Sequence, residues 1–159
     1  MTRYAFDTSA LLDAWTRSYP PDAFPQLWRA IEEGIAAGHF FGAEEVRVEI
    51  TKKDDSLLKW ARKQRDLFVD LDAPQQTAVR EVLPQFPRLI DTRKGRSGAD
   101  PFVIALARTR DAVVVAGEND DGSPDKPKIP TVCRHFGIRA IKPLDFIREN
   151  RWVFAHRSA

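Results

Sequence analysis

Short apolar runs with strand character alternate with segments of helical periodicity along the whole chain, and this alternation restricts the fold class. The clearest buried strand is predicted at 112–116, where β-branched residues follow one another. Further strands are predicted at 4–6, 39–41 and 138–141, and residues 68–72 are expected to form an irregular extended piece. Strands that alternate with helices indicate an α/β fold with a mainly parallel sheet.

Helices are predicted where apolar residues recur at a spacing of three to four positions. Thr8 or Ser9 is expected to cap the first helix, and Asp55 is expected to cap the fourth. Residues 88–98 are predicted to form a loop rich in basic residues, glycine and serine. The predicted helices span 10–15, 25–37, 42–52, 54–68, 73–86, 99–108, 129–136 and 143–150.

Length and composition predict an ordinary globular protein. A chain of 159 residues is most simply one domain over 1–159, with 150–159 as a C-terminal tail. No apolar run approaches the roughly 18 residues of a membrane span, and the N-terminus does not resemble a signal peptide. The single cysteine, Cys133, is predicted to lie in the core and cannot form an intrachain disulfide, which fits a reducing cytoplasm. The net charge of +2 is too small to indicate nucleic-acid binding by itself.

Four acidic residues lie at the edges of predicted strands and helices: Asp7, Glu49, Asp100 and Glu118. In parallel α/β sheets, functional groups gather beyond the carboxyl ends of the strands. Carboxylates that converge there repel each other unless a hard cation neutralises them, and Mg²⁺ or Mn²⁺ with oxygen ligands is the usual solution. Such an ion commonly activates water for attack on phosphate. The three histidines are scattered and lie in no zinc-ligand spacing.

Several short segments in a fixed order carry a resemblance to a known family. They are Phe6-Asp7-Thr8-Ser9, Tyr19-Pro20-Pro21, Glu49 in a helix, Ala99-Asp100, Val114-Val115-Ala116-Gly117-Glu118, Lys128-Ile129-Pro130-Thr131-Val132-Cys133 and Phe136-Gly137-Ile138. Together they resemble the PIN-domain nucleases, which include the VapC-like toxin ribonucleases, and most of all a branch that carries the Tyr-Pro-Pro and Lys-Ile-Pro-x-x-Cys segments. The resemblance implies a three-layer α/β/α fold and metal-dependent cleavage of RNA. It also implies a toxin paired with a small antitoxin protein.

The resemblance assigns the family's acidic positions one by one. Asp7 matches the first acid and Asp100 the third. Glu49 matches the second, although Glu44 and Glu45 compete for that place. Glu118 takes the fourth place, and Ala116 stands where the family pattern has a threonine, so Asp120 or Asp121 remains an alternative source of this carboxylate. Ser9 matches a hydroxyl that lies near the metal in the family.

Other positions have weaker functional interpretations. Arg93, Lys94 and Arg96 in the basic loop are candidates for contact with an RNA backbone, and a solvated surface loop is the alternative. Trp152 in the tail is a candidate contact with RNA or a partner, whereas tryptophans 15, 28 and 60 are predicted to be core.

The acids themselves have structural alternatives. A helix cap is the structural alternative for Asp7 and for Asp100. A solvated surface position is the alternative for Glu49 and for Glu118. The leading hypothesis is therefore a Mg²⁺- or Mn²⁺-dependent endoribonuclease, and a homodimer is left open. The alternatives are a PIN-like module that binds RNA or a protein without cleaving, or a related DNA or flap nuclease.

Overall fold

The structure, a computed structural model, describes residues 1–90 and 98–156. Its strands are β1 (Tyr4–Phe6), β2 (Phe40–Ala43), β3 (Phe68–Val69), β4 (Val113–Val115) and β5 (Ala140–Ile141). They form a sheet in the order β3-β2-β1-β4-β5, and every neighbouring pair is parallel. The predicted α/β class with a parallel sheet is therefore confirmed.

Helices connect the strands and cover the sheet. In the described ranges the α-helices are α1 (Thr8–Asp13), α2 (Pro25–Ala36), α3 (Glu44–Thr51), α4 (Asp55–Arg62), α5 (Ala73–Val82), α6 (Asp100–Arg110), α7 (Ile129–His135) and α8 (Pro143–Glu149). A π-helical turn at Ala14–Ser18 extends α1, and a 3-10 turn spans Pro87–Leu89. None of the helices in these ranges is both long enough and apolar enough to cross a lipid bilayer.

The register of the sheet aligns the carboxyl ends of three strands. Phe6 at the end of β1 is opposite Val115 at the end of β4, and Val115 is opposite Ile141 at the end of β5. Neighbouring strands lie about 4.8 Å apart. The residues that follow these strands therefore form one row along the edge of the sheet.

An aromatic cluster anchors α8 to the sheet. The Phe146 ring lies 4.9 Å from Tyr4 and 5.0 Å from both Phe6 and Phe40, each in an edge-to-face arrangement. Trp152 joins this cluster, with its ring 5.3 Å from Phe146 and 5.9 Å from Phe40. Trp152, the candidate contact with RNA or a partner, is thus half-buried by packing on these rings.

The remaining predictions about the core are confirmed. Trp28 and Trp60 are 3% and 9% exposed, and Trp15 packs against both rings at 4.8 and 5.6 Å. The buried indole N–H groups find acceptors: Trp28 donates to the backbone oxygen of Tyr19 at 2.8 Å. Cys133 is fully buried.

Several predicted boundaries differ from the structure. Residues 42 and 43 belong to β2, because Gly42 pairs with Phe68 of β3, and α3 therefore begins at Glu44. The extended piece 68–72 is a true strand only over its first two residues. The helix predicted to reach 86 ends at Val82, and the helix predicted to end at 108 continues to Arg110.

The predicted helix caps are also corrected. Asp54, and not Asp55, caps α4, since its carboxylate accepts the backbone N–H of Leu57 at 2.8 Å. The cap of α1 is Asp7 rather than Thr8 or Ser9. Thr8 is buried, and its hydroxyl has no hydrogen-bond partner among the residues that the structure describes.

Candidate active site

Asp7 is a buried carboxylate at the carboxyl end of β1. Its backbone N–H donates to the carbonyl of Val115 at 2.9 Å, which continues the sheet one residue past β1. Its side chain caps α1 by accepting the backbone N–H of Ser9 at 3.3 Å and the Ser9 hydroxyl at 2.5 Å. The residue is only 2% exposed. Capping explains why an acceptor stands here, but a neutral side chain could also cap, so it does not explain a buried charge.

The electrostatics of Asp7 indicate which other acids lie near it. Burial raises the pKa of this carboxyl from 3.8 to about 6, and the hydrogen bond from Ser9 opposes the rise. The negative charges of Glu118 and Glu49 raise the pKa of Asp7 further. Acids that follow β1 and β4, together with one from α3, therefore converge on the same end of the sheet.

Glu49 approaches this region from α3. The residue is 8% exposed, and its Oε1 atom has no hydrogen-bond partner in the described part of the chain. A buried carboxylate oxygen without a partner is costly unless something absent from the protein alone satisfies it. Of the two competing acids, Glu44 is held by the Nε atom of Arg47 at 2.6 Å, and Glu45 lies along a groove beside Glu49. Of these three acids, Glu49 is the one buried next to Asp7.

Asp100 is half-buried at the first residue of α6. The pKa of the Cys133 thiol in α7 indicates which acids lie near Asp100. Burial is the main cause that raises the pKa of Cys133 to about 12, and the negative charges of Asp7, Asp100 and Asp120 raise it further. The first and third predicted acids therefore act on the same buried side chain.

The alternatives for the fourth acid have cationic partners. Asp120 lies 3.1 Å from the guanidinium of Arg134. Asp121 lies 2.6 Å from the ammonium of Lys128, and this hydrogen bond is the main cause that lowers the pKa of Asp121. Glu118 is half-buried, and its negative charge raises the pKa of Asp7. The geometry thus favours Glu118 for the fourth place.

Ser9 connects the two strands that carry these acids. Its hydroxyl donates to Asp7 and accepts the backbone N–H of Gly117 at 2.9 Å. A Cβ atom at Gly117 would lie 3.2 Å from the Ser9 carbonyl oxygen, so the two backbones approach closely at this point. Sequence reasoning identified Ser9 but missed Gly117, whose place between β4 and Glu118 was the available signal.

Lys142 is a cation in the same row, and it was also missed. It follows β5 directly, and its ammonium donates to the side-chain oxygen of Asn119. Within residues 1–90 and 98–156 this ammonium makes no ion pair, since its hydrogen-bond partner is a neutral amide. The signal in the sequence was a lysine immediately after the strand predicted at 138–141. Arg93, Lys94 and Arg96 lie outside the described residues.

The donor set was tested against the predicted divalent cation. In the described ranges no group of three or more carboxylate, imidazole or thiol side chains is arranged to hold a metal ion. The chemistry of the donors nevertheless fits a hard cation, because the converging groups are carboxylates and one buried oxygen, Glu49 Oε1, has no hydrogen-bond partner among the described residues. Carboxylates repel one another, and a bound cation offsets this repulsion.

Comparison with known proteins supports the fold. A chain in the crystal structure of VapBC2 from Rickettsia felis, bound to a DNA fragment from their promoter, superposes with a TM-score of 0.53. The match covers 89% of this chain and 98% of that chain, at 12% sequence identity, so it concerns the fold alone. It confirms the predicted α/β fold with a mainly parallel sheet. No curated protein sequence matches significantly. A family profile described as a domain of unknown function, DUF4411, matches residues 4–154, and the chain therefore belongs to the DUF4411 family.

Proposed function

We propose that this protein is an endoribonuclease that depends on Mg²⁺ or Mn²⁺. The observation that carries the proposal is the Asp7 carboxyl, whose pKa is raised by its burial and further by the charges of Glu118 and Glu49. Keeping like charges together at the end of a sheet destabilises the fold, and such arrangements are typical of functional sites. The sequence resemblance to PIN-domain nucleases supports the same chemistry.

In this proposal Asp7, Glu49, Asp100 and Glu118 hold the cation through their oxygens. When bound, a divalent cation supplies water activation and stabilises the charge that builds on the phosphate. The fixed hydrogen bond from Ser9 orients Asp7. Mg²⁺ usually keeps several of its waters and needs few protein ligands, so carboxylates that are not fully assembled without metal are compatible with this role.

Lys142 is proposed to contact the RNA phosphate. It stands at the end of β5, beside the end of β4. Among the described residues its ammonium forms no ion pair, and such a cation offers a charge-assisted hydrogen bond to a phosphate oxygen. Its neutral partner Asn119 would hold the ammonium in place.

The cleavage assay uses purified protein, single-stranded RNA and either Mg²⁺ or Mn²⁺. Asp7→Asn and Asp100→Asn keep the shape of each side chain and remove its charge, so cleavage should fall by at least about a hundredfold, since each removes a metal ligand. Asp66→Asn is the matched control, because Asp66 is exposed and precedes β3, at the end of the sheet opposite the proposed ligands. Undiminished cleavage in both ligand variants would refute the proposal.

The proposal extends to a role as the toxin of a toxin–antitoxin pair in the cytoplasm. The sequence resemblance includes toxin ribonucleases, and the fold is similar to a chain of VapBC2. The expected partner is a small antitoxin protein. Overexpression of the chain alone should arrest growth, and co-expression with the protein of an adjacent gene should relieve the arrest. A chain that is harmless when overexpressed in active form would contradict this role.

A second candidate is a PIN-like module that binds RNA or a protein without cleaving it. Two observations favour it: Ala116 stands in the threonine place, and no metal-holding group is assembled among the described residues. Calorimetric titration with Mn²⁺ distinguishes the candidates. No binding at millimolar metal would favour the non-cleaving module. Faster cleavage of single-stranded DNA or a branched duplex than of RNA would favour a DNA nuclease.

A further inference from the structure

A groove of about 280 Å³ runs between α3 and α6 beside the carboxylates. Its apolar wall is formed by Val48, which is 45% exposed, and by the half-buried ring of Phe102. Glu45 and Lys52 lie along its polar side. Exposed apolar side chains that line a concave surface next to a functional site are commonly covered by a ligand.

The groove is continuous with the proposed metal site. Glu49 lines it and is also one of the proposed ligands, while Ala99, another lining residue, immediately precedes Asp100. A ligand in the groove would therefore sit next to any phosphate held over the acids. This adjacency distinguishes the groove from the other concave surfaces of the described structure, such as the one near the N-terminus lined by Met1 and Trp152.

We infer that this groove binds one base of a single-stranded RNA, next to the phosphate that is cleaved; the inference rests on the proposed ribonuclease function. An aromatic ring offers a stacking surface to any base, and single-stranded RNA is generally recognised in this way. Phe102 supplies the ring. Lys52 is a donor and Glu45 an acceptor for the polar edge of the base, and neither makes an ion pair in the described ranges.

The size of the groove favours a base over a segment of a protein partner. A protein interface of standard size takes roughly 20–30 residues on each side, whereas seven residues line this groove. A small aromatic ligand such as a nucleobase suits a volume slightly below that of ordinary drug-sized pockets, which begin at about 300 Å³. The walls of the groove also suit a flat heterocycle, because they combine one aromatic ring with separate hydrogen-bonding groups.

The test combines substrate and protein changes. A set of short single-stranded RNAs carries one abasic nucleotide at successive positions around the cleaved bond. In the wild-type protein, removal of one particular base should lower kcat/KM about tenfold, which corresponds to about 1.4 kcal/mol of lost stacking. Phe102→Leu keeps an apolar side chain but removes the ring, so the same abasic position should then have little further effect.

Two further variants protect the test against misfolding. Phe102 also packs against the core. Val48→Ala is therefore the second groove variant, because Val48 is exposed and its truncation leaves the core packing intact. Val153→Ala is the matched control: Val153 is 86% exposed and follows Trp152, near residues that precede β1. Val48→Ala should weaken the dependence on the base, and Val153→Ala should leave it unchanged.

A binding measurement separates failure of this inference from failure of the proposed function. Fluorescence anisotropy follows the same labelled RNAs in Ca²⁺, which supplies an oxygen-ligated cation. Cleavage that shows no base dependence, or the same dependence in Phe102→Leu and Val48→Ala, overturns the inference and leaves the nuclease. Absent cleavage with base-dependent binding that the groove variants weaken overturns the nuclease and keeps the groove as a base site. If the protein shows neither cleavage nor base-dependent binding, both the inference and the proposed function are overturned.

Discussion

Replacing Asp7 with asparagine should stabilise the metal-free protein, which is opposite to the effect of losing an ordinary cap. Asparagine keeps the side-chain oxygen that accepts from Ser9, so the cap of α1 survives. The substitution removes a carboxylate whose pKa in the folded protein is about 6 instead of 3.8. At about 1.4 kcal/mol for each pH unit, ionising this carboxyl costs the folded state about 3 kcal/mol at neutral pH.

The sign of the pH dependence follows from the raised pKa. Between about pH 4 and pH 6 the folded protein binds more protons at Asp7 than the unfolded chain does. The Asp7 contribution therefore makes the wild-type free energy of unfolding fall as pH rises through this window, and the full penalty persists above it. Asp7→Asn lacks this titration. In EDTA near neutral pH, the free energy of unfolding of Asp7→Asn should exceed that of the wild type by up to about 3 kcal/mol. In a domain of this size that corresponds to a melting temperature about 6–12 °C higher.

The assay is urea unfolding of both proteins in EDTA at several pH values, repeated with Mn²⁺. Metal that binds the folded form at a hundredfold excess over Kd should stabilise the wild type by about 2.7 kcal/mol, and this gain should shrink in Asp7→Asn. Asp66→Asn serves as the control, because that carboxylate is exposed and precedes β3, away from the proposed ligands. The reasoning is refuted if Asp7→Asn is less stable than the wild type in EDTA at neutral pH, or if it keeps the full response to metal.

Three further substitutions test separate parts of the structure. Gly34→Ala should lower the free energy of unfolding by about 1–3 kcal/mol despite the helix propensity of alanine, because the new Cβ would overlap the buried Phe40 ring. Urea unfolding measures this change, and a gain in stability would contradict the packing. Lys142→Gln should lower kcat/KM for RNA about tenfold and weaken its salt dependence, whereas an unchanged salt dependence would exclude a phosphate contact. Ser9→Ala removes the hydroxyl that bonds Asp7 and Gly117, so it should cost about 1–2 kcal/mol of stability in urea and further raise the pKa of Asp7; an unchanged free energy of unfolding would show that this link is unimportant.

The sheet could be predicted because its central strands carry strong local signals. The β-branched residues of β4 and the short apolar run of β1 leave little alternative to buried strands. The end of β2 could not be predicted in the same way. Residues 42–52 satisfy helical periodicity, and only the pairing of Gly42 with Phe68 shows that the strand continues to Ala43. Long-range pairing overrode the local pattern at that point.

The acids were predictable for a related reason. The positions of Asp7 and Glu118 directly after strands follow from the rule that parallel α/β sheets gather functional groups at their carboxyl ends. The choice among Glu118, Asp120 and Asp121 did not follow from the sequence. It depends on which acid acts on Asp7, and the charge of Glu118 does so. It also depends on side chains from a later part of the chain: Arg134 in α7 lies beside Asp120, and Lys128, the residue before α7, lies beside Asp121.

The absence of a threonine at Ala116 has a structural counterpart in Ser9. Ala116 is buried directly after β4 and, unlike threonine, has no hydroxyl. The Ser9 hydroxyl instead reaches the N–H of Gly117, the next residue, while it donates to Asp7. One side chain thereby ties the acid after β1 to the segment that carries Glu118. Since both of its hydrogen bonds involve these segments, Ser9 helps to fix the position of Glu118 relative to Asp7. The departure from the family pattern therefore does not by itself argue against an assembled site.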